Sequence, residues 1–148
     1  MHKKRSKNAR KQGKNEQKPK FAGNIRESRR LIIYERLKEL QKQIAGLILD
    51  YQRLERLLRR RERFLEELRA RTSIQVFDET TPEGHPRYPD DERRKSEVVC
   101  RLVDNPAYRN AVNSIERIRM KLGRLKSQET LLQAEVKQIE ATDYTDRH

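Results

Sequence analysis

A chain of 148 residues has room for one domain of ordinary size. Apolar residues make up 33% of it, charged residues 40%, and tryptophan is absent, which excludes a broad globular core and favours a long helical structure that buries only a stripe. The formal net charge of +13 points to a polyanionic partner, nucleic acid ahead of an acidic protein or an anionic membrane.

The chain opens with nine Lys or Arg in residues 1–20, opposed by Glu16 alone, and no apolar residue larger than Ala follows Met1. Nothing there offsets the entropy of ordering, so residues 1–24 are expected to be a disordered basic tail. It reads either as a solubilising tail or as an arm that settles along phosphates through Lys3, Lys4, Arg5, Lys7, Arg10, Lys11 and Lys14. No apolar segment follows the basic start, so a secretory signal is not expected.

From Ile25 the pattern becomes helical. Ile33, Leu37, Leu40, Ile44, Leu47, Tyr51, Leu54, Leu58, Leu65 and Leu68 keep a spacing of alternating fours and threes, with Arg61 standing where the count calls for an apolar residue. This heptad seam predicts a helix over 25–71, roughly 70 Å long at 1.5 Å per residue. Arg61 can lay its methylenes along the seam and send its guanidinium outward. Gly46 is the weak link, at about 1 kcal/mol relative to Ala.

Residues 72–105 read as an irregular tip. Thr-Pro, Glu-Gly, His-Pro and Tyr-Pro in close succession are turn signals, and Ser73 to Phe77 could form a short strand. A short helix over 91–103 follows, with Asp90 or Asp91 as its N-cap and Asp90, Asp91 and Glu92 complementing its dipole. Asn105-Pro106 then starts a third helix over 106–141, Asn as cap and Pro in the first turn. Its seam runs through Tyr108, Ala111, Ile115, Ile118, Leu122, Leu125, Leu132, Val136 and Ile139, interrupted at Glu129. Residues 142–148 are polar and expected to fray.

The fold class expected is therefore all-α, a long antiparallel helical hairpin, or coiled coil, with a short helix at an irregular tip. Pairing of each helix with a copy from another chain is the alternative. Val98, Val99, Leu102 and Val103 of the short helix are expected to cover Leu57 and Phe64. Leu31, Ile32 and Ile48 have no evident cover and suit a homodimer or a partner helix. If residues facing each other have numbers adding to about 176, two distant basic runs become neighbours. One comprises Arg53, Arg56, Arg59, Arg60 and Arg63; the other comprises Arg117, Arg119, Lys121, Arg124 and Lys126.

Catalytic and metal-binding signatures are missing. His2, His85 and His148 are scattered, Cys100 is the single cysteine, and neither a glycine-rich phosphate loop nor a nucleophile elbow occurs. No metal, cofactor or small-molecule substrate is expected, and no enzyme activity. The longest apolar run, LIIY, is far too short for a membrane span. A lone cysteine fits a reducing cytoplasm. A basic-zipper reading fails because Leu31 to Tyr34 is apolar where a groove-lying helix needs basic and polar residues. Tyr88 is the best candidate for base stacking.

The run GHPRYPDDERRKSEVVCRLVDNPAYRNA, Gly84 to Ala111, followed by a heptad helix, resembles small helical accessory proteins of bacteriophages and mobile elements. That resemblance implies a supporting part in DNA replication, recombination or packaging and assigns no residue a role. The function expected is non-enzymatic binding of DNA or RNA through phosphates, with little sequence specificity. The alternative is a coiled-coil scaffold or interaction adaptor whose charge serves solubility.

Overall fold

The computed structural model describes the backbone of residues 5–147 and the side chains of residues 24–145. The candidate arm residues Lys3, Lys4, Arg5, Lys7, Arg10, Lys11 and Lys14, and the disorder expected around them, lie outside those described side chains. Three helices follow in chain order: α1 (Arg5–Asp78), α2 (Asp91–Asp104) and α3 (Pro106–Arg147). No strand forms among the described residues; Thr80 and Pro86 make one isolated antiparallel bridge.

Burial follows the heptad count. On α1 Leu40 is fully shielded, Leu65 is 7% exposed, and the other seam residues from Ile33 to Leu68 are half-buried. On α3 Ala111, Ile115, Ile118 and Leu122 are buried, and Tyr108, Leu125, Glu129, Leu132, Val136 and Ile139 are half-buried. Arg61 is exposed, as its long charged side chain demands.

α1 starts at Arg5, ahead of the expected 25, and two helix ends also differ from expectation. α1 does not stop at 71, and Ser73 to Phe77 is helix rather than strand. Thr72 and Val76 prolong the buried stripe at 8% and 1% exposure, so burial there outweighs the strand preference of β-branched residues. Thr72 also satisfies its hydroxyl inside the helix by donating to the Leu68 carbonyl at 2.8 Å. α3 likewise runs past 141. Thr142 and Thr145 donate to the carbonyls of Gln138 and Ala141, each at 2.9 Å, so their polarity is absorbed by the helix.

The chain divides into two compact units, Gly46–Thr130 and Met1–Ala45 with Leu131–His148. In the first, Leu65 of α1 clusters with Ala111 and Ile115 of α3, with Leu58, Tyr108 and Val112 packed around them. The polar contacts set the sense of the packing. Arg69 donates to the Tyr108 hydroxyl at 3.3 Å, and Arg119 donates to Glu62 at 3.4 Å. Partners on α3 rise as those on α1 fall, so the two helices are antiparallel in this unit, within about a turn of the register read from the seams. In the other unit, Arg36 pairs with Glu135 at 2.7 Å beside the shielded Leu40. Both partners are more than a third exposed, so this pair contributes about 1 kcal/mol at most.

The connection between α1 and α2 is a tight turn. Gly84 donates its N–H to the Thr81 carbonyl at 2.9 Å, and Pro82 sits at the first corner with its ring fixing φ. Gly84 has φ +85°, a conformation that costs a side-chain-bearing residue strain. Asp90 then caps α2, accepting from the Glu92 N–H at 3.3 Å. Asn105 ends α2 and caps α3, its Oδ1 accepting from the Ala107 N–H at 2.9 Å ahead of Pro106.

α2 does not cover Leu57 and Phe64, which remain 37% and 39% exposed. The extra turns of α1 carry the reversal further along, and α2 lies beside Arg69, Ser73 and Phe77 instead. Arg101 fixes it there. Its guanidinium forks onto both carboxylate oxygens of Glu79 at 2.7 Å, and its Nε donates to Glu97 at 2.9 Å.

Candidate nucleic-acid interface

The arginines of α1 and the cations of α3 are sorted by helical spacing into two sides of the Gly46–Thr130 unit. Asp50, Arg53, Leu57, Arg60 and Phe64 recur at threes and fours and form a stripe beside the seam of α1. Arg117, Lys121, Arg124 and Gln128 do the same beside the seam of α3. These two stripes flank one groove. It has a volume of about 480 Å³ and is lined by Asp50, Arg53, Leu54, Lys121, Arg124, Leu125 and Gln128.

The opposite side carries Glu55, Arg59, Glu62 and Glu66 from α1 and Glu116, Arg119 and Lys126 from α3. Arg119 is already engaged there by Glu62. Over residues 50–67 and 116–128 the groove side therefore holds five cations against two carboxylates, Asp50 and the end-lying Glu67, and the opposite side three against four. A one-signed cleft with a low-dielectric floor raises the local concentration of anions, whereas a mixed surface does not.

Of the sequence candidates, Arg53, Lys121 and Arg124 come together in the groove, and Arg60 and Arg117 extend it by helical repeat. Arg56 stands on the outer surface of α1 and donates its Nε to the Gln52 carbonyl at 3.4 Å. Arg63 is exposed on that outer surface, while Arg59, Arg119 and Lys126 fall on the mixed side. The candidate girdle is thus not one surface but a basic groove with a mixed back.

Arg53 approaches Asp50 at 4.0 Å, with side chains 75% and 58% exposed, so the groove's single carboxylate is a weak, screened competitor. Among the described residues, no ion pair engages Arg60, Arg117, Lys121 or Arg124, which leaves their donors free for an anion. The flanking Leu57 and Phe64 give the rim an apolar component.

Tyr88 does not present a free ring. It is half-buried, and the Arg87 guanidinium stands 5.5 Å from its centroid. The strongest electrostatic cluster lies elsewhere, at Glu79. The hydrogen-bonding Arg101 guanidinium holds that carboxyl below the usual carboxylate range against a smaller opposing effect of burial, and Arg87 adds to the lowering. Arg101 is pushed up in turn, chiefly by Glu79 and then by Glu97. This cluster is neutralised within itself and offers no net charge to a ligand. Sequence reading missed it because Glu79 and Arg101 are brought together only by the turn between them.

Among the described residues, no group of three His, Cys, Asp or Glu side chains stands close enough to hold a metal ion. No described helix is long and apolar enough to cross a membrane. No protein-family model matches the chain, and no curated protein or solved structure is significantly similar to it.

Proposed function

We propose that this chain is a non-enzymatic nucleic-acid-binding protein that holds the phosphate backbone in the groove between α1 and α3. The observation that carries the reading is the convergence of Arg53, Lys121 and Arg124, from two helices and two distant parts of the sequence, on one groove with a single carboxylate. Lysine and arginine at such a site release condensed counterions on binding, which makes the interaction steeply salt-dependent and nearly blind to sequence. Arginine adds a planar fork that matches phosphate oxygens in pairs. The basic residues 1–20 add charge on the same chain and extend the contact along the strand.

The test is fluorescence anisotropy with a labelled random-sequence duplex and its single strand. Binding is expected at about 50 mM salt and largely lost by about 200 mM. Absence of binding at the lower salt defeats the proposal. Removing residues 1–20 separates the two contributions: the groove predicts weakened but persistent binding, and complete loss assigns the activity to the arm.

A further inference from the structure

α2 is only half covered. Leu102 is 5% exposed and Val98 half-buried, but Val99 and Val103, four residues apart and on the same side, are 58% and 54% exposed. Facing them from the last turns of α1 is Phe77, 64% exposed. Together with Leu102 and Tyr108 these side chains line a groove of about 560 Å³. Its rim carries Arg69, Arg94 and Lys95 against Asp91 alone.

The cations are held in place but incompletely used. Arg94 stands 5.0 Å from the Phe77 ring centroid, and its one side-chain hydrogen bond among the described residues goes from Nη2 to Asp91 at 3.2 Å. A guanidinium has five N–H donors; Arg94 Nε is buried, so the donors open to a ligand are those of its two terminal nitrogens. Lys95 reaches the same Asp91 only at 3.9 Å. Arg69 is held over Tyr108, with its guanidinium 5.8 Å from the ring. The site thus combines an apolar floor with fixed cations that retain spare donors.

We propose that this groove docks an amphipathic helix of a partner protein, its apolar face on Phe77, Val99 and Val103 and its flanking Asp or Glu on Arg69, Arg94 and Lys95. Helix-in-groove recognition needs apolar anchors at helical spacing and a polar border that fixes orientation, and both are present. The excess of positive charge on the rim selects an acidic partner. A second copy of this chain is a poor match, because its net charge of +13 sets like against like. Nine residues of α1, about 14 Å along the helix, separate Arg60 at the end of the basic groove from Arg69 on the rim of the docking groove, so the two are distinct sites on the same unit.

The test uses the full chain and a fluorescein-labelled peptide of about 18 residues, long enough for several turns, with leucines at positions i, i+3, i+4 and i+7 and glutamates between them. A scrambled peptide of identical composition controls for general attraction of an acidic chain. The patterned peptide is expected to bind at least tenfold more tightly than the scrambled one. Val99→Glu with Val103→Glu abolishes that preference, as does Phe77→Ala, while Arg53→Gln with Lys121→Gln and Arg124→Gln leaves it intact. All three docking residues are exposed, so circular dichroism is expected to be unchanged in their variants. Equal binding of the two peptides, or an unchanged preference in both docking variants, overturns the proposal. A change of sedimentation of the chain alone in the Val99/Val103 variant assigns the groove to a second copy. Binding of dodecanoate without the peptide assigns it to a small apolar carboxylate. Either of these outcomes also overturns it.

Discussion

Leu65→Ala and Ile115→Ala probe the packing that creates the basic groove. Both side chains are nearly excluded from water, at 7% and 5% exposure, and both belong to the same cluster although fifty residues separate them in sequence. Truncating a buried Leu or Ile to Ala costs about 2–5 kcal/mol, and Ala111 beside them has no larger side chain to fill the space. For a chain of this size, 1 kcal/mol corresponds to roughly 2–4 °C in Tm, so each variant is expected to melt about 4–20 °C lower by circular dichroism. Leu57→Ala, at a residue 37% exposed, is the internal control and is expected to cost about 1.5 kcal/mol at most, less than either core variant. The double variant adds the decisive quantity. Residues in contact are non-additive by about 0.5–3 kcal/mol, whereas distant residues add. Strict additivity, or a near-neutral Ile115→Ala, refutes the antiparallel register of α1 and α3 in the Gly46–Thr130 unit.

Two further outcomes follow from the connection between helices. Asn105→Ala removes the acceptor for the Ala107 N–H and is expected to destabilise by about 1 kcal/mol, read as a fall in Tm of a few degrees. Glu79 is held below its ordinary value of 4.5 by Arg101, so its contribution to stability is complete above that value and is lost as pH falls through the lowered one. Glu79→Gln is therefore expected to reduce Tm at neutral pH and to flatten the acid side of the stability profile below 4.5. An identical acid profile in wild type and variant counts against the Glu79–Arg101 fork.

Much of the helical architecture was legible because a stripe buried at alternating threes and fours needs only apolar spacing to declare itself. Every apolar seam residue from Ile33 to Leu68 and from Tyr108 to Ile139 is buried or half-buried. The end of α1 was not legible. Thr72, Ile74 and Val76 favour strand locally, and what decides their state is the shielding of Thr72 and Val76. That error propagated to α2, whose resting place depends on where α1 stops. The sorting of the cations was written in the sequence as a second stripe, Asp50 to Phe64 and Arg117 to Gln128. It becomes readable only when the stripe is placed beside its partner, because a single helix does not say which of its flanks faces the same side as the other's. Arg61, the seam's interruption, points to solvent and shows why a count along one helix overstates the importance of a charged residue within it.

The most direct test of the central claim compares two charge-matched variants in duplex binding across a salt series. One carries Arg53→Gln, Lys121→Gln and Arg124→Gln in the groove; the other carries Arg59→Gln, Arg119→Gln and Lys126→Gln on the mixed side. Each loses three positive charges, so a purely global attraction weakens both alike. Each phosphate contact contributes about 0.9 to the slope of log affinity against log salt, so the groove variant is expected to lose about 2–3 from that slope and the other less than about 1. Equal slopes in the two variants contradict the assignment of phosphate binding to the groove.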